Sequence, residues 1–180
     1  RGLVGSEMCI RDSYWSTLPK AKKGETPTVW EQPVKVTAAD FVFGMQRAVM
    51  PETGSALAAQ LFGIQNAQAV SEGKKAAEEL GVKAVDEDTL TITLTEADAG
   101  FPVKLAGTPF MPCNREFFEY TAGRYGLEKA YVLTNGPFSL GAWNHGQSLL
   151  LNKNEQYHEA EDVYPATVRY VIQPEAETGE

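Results

Sequence analysis

Residues 36–55, VTAADFVFGMQRAVMPETGS, confine this part of the chain to one local structure, because each position that starts, fills or ends a helix holds a suitable residue. Thr37 is a good N-cap, since its side-chain oxygen can serve an orphan amide of the first turn. Asp40 stands where an acid reaches back to close a capping box, and Val36 and Phe41 occupy the positions of a hydrophobic staple. Phe41, Met45 and the Ala48–Val49 pair recur at helical spacing, and Pro51 stops the run.

The 180 residues are 43% hydrophobic and 22% charged, enough for one sizeable core. A net charge of −8 argues against a nucleic acid or an anionic membrane surface as partner. No apolar run approaches the ~20 residues of a membrane helix. Residues 1–13, RGLVGSEMCIRDS, lack both helical or strand periodicity and the charged start and apolar core of a signal peptide. They look like translated adaptor sequence, so we expect a non-native segment and leave it out of fold reasoning. Cys9 lies in that segment, which disfavours its pairing with Cys113. Cys113, beside Pro112, reads as a small packed residue rather than a nucleophile.

Residues 14–35 read as a loop leading into Trp30, broken by LPKAKKGETPT. A helix over 38–50 follows, then a short one over 55–62. Residues 66–80 are mostly helical, interrupted near Gly73 and ended by Gly81 as a C-cap. Residues 82–85 and 90–94 form a hairpin around Asp86-Glu87-Asp88, with Leu90, Ile92 and Leu94 on one face and threonines on the other. Short helices are expected over 101–106 and 115–125. From Asn135 the pattern turns to β: strands over 138–143 and 148–151 flank Asn144-His145-Gly146, and residues 167–172 make a last strand before a polar tail. The fold class is α/β, in the mixed α+β sense.

Motifs that signal catalysis with little context are absent: there is no GxxxxGK[ST], GxSxG, HExxH or CxxC. The only histidines, His145 and His158, fall in a hairpin tip and in an acidic loop, where solvated residues are the favoured reading over ligands. Asp86-Glu87-Asp88 lacks the Asp-x-Asp-x-Asp-Gly frame of a Ca²⁺ loop and reads as a turn. No metal or cofactor is expected, and a hydrolase built on Cys113 or His158 is disfavoured.

Several motifs, in order over residues 30–172, resemble the extracellular solute-binding proteins of family 5, which serve oligopeptide and dipeptide ABC importers. Trp30 ahead of Val36-Thr37 is similar to that family's W-S-D-G-x-P-V-T-A element, with Gln32-Pro33 departing from Asp-Gly. V-T-A-x-D-F-V-F with Arg47, then Pro51-x-Thr53-x-Ser55, follows the same consensus. So do Ile64-Gln65-Asn66-Ala67 with Gly73-Lys74, the LGVKAVD hairpin with Asp88-Thr89-Leu90, and Phe110-Met111-Pro112. Thr134-Asn135-Gly136-Pro137-Phe138 and Leu151-x-x-Asn154-x-x-Tyr157 complete the series.

The resemblance implies a periplasmic-binding-protein type II fold with two lobes closing on an extended peptide, and an extra domain inserted beside the first lobe. On that map residues 14–133 are the inserted α+β domain and residues 134–180 begin the return strands of lobe I, with the second lobe missing. It implies a binding protein without catalysis, located outside the cytoplasm (periplasmic or lipid-anchored). Its partners would be an oligopeptide ligand and a permease–ATPase complex, with no nucleic acid and a monomeric state. Among ligand-side positions, the family's peptide-flanking tyrosine falls on Leu57 and a groove-side position on Gly107, with Thr108 beside it. These departures leave another peptide length, another solute such as a nickel chelate, or a pheromone-sensing role as alternatives.

Overall fold

The first helix obeys its punctuation. In the computed structural model, which describes residues 13–15 and 34–173 and the backbone of residues 5–9, helix α1 spans Ala38–Val49. Thr37 is its N-cap. The Thr37 N–H donates to Asp40 Oδ2 at 2.9 Å, and the Thr37 hydroxyl donates to the same oxygen at 3.3 Å. The acid thus closes the N-terminus from inside the helix. Pro51 opens a 3-10 turn over Pro51–Thr53, and Met50 before it turns extended, the conformation a residue ahead of proline prefers.

The chain forms two units, the first from residues 1–11 and 36–115, the second from residues 12–35 and 116–180. In the first, strand β1 (Gly5–Cys9) pairs with a hairpin whose strands, numbered in chain order, are β4 (Val82–Ala84) and β5 (Thr89–Thr93). The order is β1-β5-β4, antiparallel throughout. Strands β2 (Tyr14–Trp15) and β3 (Val34–Lys35) form a separate two-residue ladder in the second unit. Leu90 and Ile92 are fully buried on one face of β5, as strict alternation requires. They meet Met45 and Val49 of α1 in a core that also holds Leu61, Ile64, Val70, Leu80, Phe101 and Phe110. Helices α2 (Ala67–Ser71) and α3 (Phe101–Lys104) are single turns around this core.

Two contacts fix α1 in the unit. Its first amide, on Ala38, donates to the Glu87 carbonyl in the hairpin turn at 2.8 Å. At its middle, residues 111–113 pass directly over Gly44. A β-carbon there would collide with the Met111 carbonyl and stand 3.2 Å from the Cys113 nitrogen. Glycine costs a helix interior about 1 kcal/mol, and here it permits a backbone crossing that no other residue allows. The crossing strand is bonded as well: Cys113 N–H donates to the Asp40 carbonyl at 3.0 Å, and Arg47 Nη1 reaches Cys113 Sγ at 3.5 Å. Cys113 is buried, as a packed residue should be.

The interruption expected near Gly73 is there: α2 is followed by a 3-10 turn over Ala77–Glu79, with Gly73 at φ +69°. Other expectations need correction. Gly81 is no C-cap. Its N–H donates to the Gln65 carbonyl, and a β-carbon would press on Gln65 Cβ (2.8 Å) and the Thr93 carbonyl (2.9 Å), so it is glycine for close approach. The stretch over 55–62 is a 3-10 turn at Ala58–Leu61.

In the second unit, α4 (Arg115–Thr121) ends where Ala122 and Gly123 take positive φ, short of the expected residue 125. The sheet is β6 (Phe138–Asn144), β7 (Ser148–Lys153) and β8 (Thr167–Val171), with β7 central and every pair antiparallel. Asn154 is buried; its Nδ2 donates to the Gly136 carbonyl and its backbone N–H to the Pro137 carbonyl, both at 2.9 Å. The two motifs Asn135-Gly136-Pro137 and Asn154-x-x-Tyr157 are therefore one structural device, a clamp between the entry of β6 and the exit of β7. Residues 16–33, with Trp30 and Gln32-Pro33, and the tail 174–180 lie outside the described residues.

Replacing Gly44 by Ala is expected to lower stability by about 1–3 kcal/mol through overpacking, read as a lower urea midpoint by circular dichroism. A Gly44→Ala variant as stable as the parent would mean that the crossing relaxes without cost. A second outcome concerns the hairpin turn, where Asp86 Oδ1 accepts from Asp88 N–H (2.9 Å) and Thr89 N–H (2.7 Å). These bonds, the Asp88 amide foremost, hold the Asp86 carboxyl below its ordinary value of 3.8. A depressed folded pKa gives stability that is complete above the unfolded value and is lost as pH falls through the folded one. Asp86→Asn should therefore flatten the loss of stability as pH falls below about 4, measured by unfolding at stepped pH.

Candidate functional site

Two 3-10 turns of the first unit, Ala58–Leu61 and Thr108–Phe110, pack against each other with α3 beside them. Each turn follows from its sequence. Ser55 Oγ accepts from the Leu57 N–H at 3.3 Å, starting a bend that Leu57 caps. Pro109 sits in the first turn of the second, where its missing N–H costs nothing. Between them opens a cleft of about 430 Å³ lined by Ala59, Gln60, Gly63, Val103, Lys104, Gly107 and Phe110.

Of the three residues singled out in the sequence, Gly107 lines this cleft. A β-carbon on it would stand 3.0 Å from the Lys104 carbonyl, 3.4 Å from Gln60 Oε1 and 3.6 Å from the Phe110 ring, so its bare backbone keeps the cleft open. Leu57 and Thr108 do not line it. Both are exposed at the heads of the two turns, Leu57 at 38%. Gln60, Val103 and Lys104 were missed, because none carries a sequence signal stronger than that of an ordinary surface residue.

The floor and rim differ in character. Phe110 is 3% exposed and meets Phe101 edge to face at 5.9 Å, while Val103 on the rim is 80% exposed. Lys104 also borders a neighbouring cleft of about 340 Å³ that holds Glu96 and Asp98. Lys104 Nζ binds Asp98 Oδ2 at 2.6 Å. That bond, with the Gly100 amide second, holds the Asp98 carboxyl below its ordinary value. The site thus offers apolar surface, one amide side chain and a lysine already paired with an acid. It presents no nucleophile beside a base.

Elsewhere, His145 stands in the hairpin tip with Nε2 3.2 Å from Glu128 Oε2 and its ring on Trp143, and His158 packs on Tyr157 beside Glu159. Among the described residues no cluster of three metal-binding side chains occurs, and no helix is long and apolar enough to cross a membrane.

The family profile "Bacterial extracellular solute-binding proteins, family 5 Middle" matches residues 28–179. Among curated relatives, the oligopeptide-binding protein OppA of Bacillus subtilis is 32% identical over 155 residues, covering 82% of this chain and 28% of the relative. The probable deoxycholate-binding periplasmic protein YgiS of Escherichia coli is 33% identical over 152 residues, covering 83% and 28%. Among solved structures, Listeria monocytogenes OppA bound to peptide superposes with a TM-score of 0.82 at 28% identity, over 94% of this chain and 31% of that one. The chain spans under a third of the length of these relatives. The likeness gives the fold as part of the type II periplasmic binding proteins.

The two apolar walls of the cleft should respond in opposite ways. Phe110→Ala is expected to cost about 3–5 kcal/mol, whereas Val103→Ser should stay within about 0.5 kcal/mol of the parent. Chemical unfolding of both variants checks this. A large loss at Val103 would show that the rim is structural rather than free.

Proposed function

The chain belongs to family 5 of the bacterial extracellular solute-binding proteins, and from that premise we propose that it is part of the substrate-binding component of an ABC importer. The complete protein captures oligopeptides in extended form outside the cytoplasm and delivers them to a membrane permease and its ATPase, as a monomer and without catalysis. The observation that carries this reading is the profile match across residues 28–179, which takes in residues 36–115 of the first unit and most of the second.

The chemistry required is recognition. An extended peptide presents backbone N–H and C=O groups that a protein can pair in strand fashion, and roomy pockets for its side chains make the binding tolerant of sequence. Closure of two lobes on a hinge then traps the ligand. The cleft beside Gly107 suits such a role, with an apolar floor at Phe110 and Gln60 to satisfy a polar group. We assign Gly107 to the ligand side, with Leu57 and Thr108 on the exposed turn heads next to it. A relative that is a probable deoxycholate-binding protein stands close to this chain as well. The ligand therefore has to be established by titration.

The 180-residue chain alone should bind di- to pentapeptides no more tightly than about millimolar, since it spans under a third of its relatives. Isothermal titration of the complete protein with the same peptides should give micromolar or tighter binding, weakened by Leu57→Asp and by filling the cleft with Gly107→Val. Micromolar binding by the short chain would overturn the division of the cleft. No peptide binding by the complete protein, together with binding of another solute, would overturn the peptide assignment.

A further inference from the structure

The asparagine–glycine pair that feeds β6 sets an uncommitted backbone nitrogen beside an uncommitted side-chain amide. Of the six asparagines in the chain, only Asn135 is followed by glycine, so no side chain shields the amide nitrogen that comes after it. Among the described residues the Asn135 side chain takes no hydrogen bond, and the Gly136 N–H donates none. Both residues are half-buried, and a β-carbon on Gly136 would meet nothing within 4 Å, so solvent reaches the pair.

What restrains the pair lies downstream. Asn154 Nδ2 donates to the Gly136 carbonyl and the Asn154 N–H to the Pro137 carbonyl, both at 2.9 Å. Asn154 is itself buried, and its Oδ1 accepts from the Gln156 N–H at 3.1 Å, which turns the donor side of the amide towards Gly136. Pro137 locks its own φ and disfavours helical backbone at Gly136. Upstream, Leu133 is buried. Bringing the Gly136 nitrogen onto Asn135 Cγ requires rotation about the Asn135 Cα–C bond. That rotation swings the peptide plane between the two residues against all of these anchors.

We propose that Asn135 is a self-modification site that cyclises on Gly136 to a succinimide, and that Asn154 is the positioning residue that holds the reaction back. The step balances with the chain and water alone. The Gly136 amide nitrogen gives up its proton and attacks Asn135 Cγ; a C–N bond forms there, and the side-chain nitrogen leaves as ammonia. Water then opens the ring at either carbonyl, giving aspartate or an isoaspartyl link whose backbone runs through Cγ. Either product adds a negative charge. The isoaspartyl form also lengthens the backbone by a methylene directly before β6, where Asn154 binds two consecutive carbonyls.

The test incubates the 180-residue chain at mildly alkaline pH. Peptide mapping by mass spectrometry, with an isoaspartate methyltransferase assay, follows conversion at Asn135. A synthetic peptide of residues 131–140 sets the unrestrained rate. The folded chain should convert more slowly than the peptide, and Asn154→Ala should speed it by about fivefold or more, as loss of one hydrogen bond to local opening would. Asn154→Asp, which loses the Nδ2 donor and keeps the backbone bond, should do the same and serves where the alanine variant fails to fold. Leu149→Ala weakens the same sheet with the clamp intact and should keep the parental rate. Gly136→Ala should slow conversion while circular dichroism shows an unchanged fold, and every rate should climb with pH because the attacking amide must be deprotonated. No conversion at Asn135 in the Asn154 variants, while the peptide converts, would overturn the site. A folded chain that converts as fast as the peptide, or equal acceleration by Leu149→Ala, would overturn the role given to Asn154.

Discussion

The passage of residues 111–113 across Gly44 is the constraint on which the first unit is built. It brings a segment remote in sequence into backbone contact with the middle of α1, and bonds from Cys113 to the Asp40 carbonyl and from Arg47 to Cys113 Sγ hold it there. Once that segment is fixed, the turn Thr108–Phe110 immediately before it is fixed too, and so is Phe110 in the core. The other end of the helix is tied to the hairpin through Ala38 and Glu87. One wall of the cleft beside Gly107, the turn Thr108–Phe110, leads straight into the crossing segment, and the other is the turn Ala58–Leu61. A glycine in mid-helix looks like a local defect. Its cost of about 1 kcal/mol in propensity is offset by a contact that any β-carbon would destroy.

How much of this was legible depended on how local the deciding physics was. The N-terminus of α1 could be read from Thr37 and Asp40 because a cap involves neighbours three residues apart. The hairpin could be read from Leu90, Ile92 and Leu94 because alternation is local. Gly44 carried no signal, since its reason lies at Met111 and Cys113. Gly81 was misread for the same cause: a glycine after a helical stretch suggests a C-cap, yet the residues that exclude a β-carbon there are Gln65 and Thr93. Gly73, with its positive φ, is where the helix breaks. The site was less legible still. Leu57, Gly107 and Thr108 were marked by a family resemblance, and only Gly107 proves to line the cleft. Gln60, Val103 and Lys104 reach it through turns whose meeting no periodicity announces.

The motifs that made the family recognisable are, where the structure describes them, mostly joints. Asn154 clamps the carbonyls of Gly136 and Pro137, Asp40 closes the helix start, and Asp86 organises the hairpin turn. Each satisfies a buried or turn backbone group that would otherwise lack a partner, which is costly anywhere in a protein. Such residues tolerate little change whatever ligand the fold carries. The exposed surface of the cleft obeys the opposite rule. Around the cleft the exposed positions, Leu57, Gln60, Val103 and Thr108, bond to little besides their own turns and are free to vary without loss of fold.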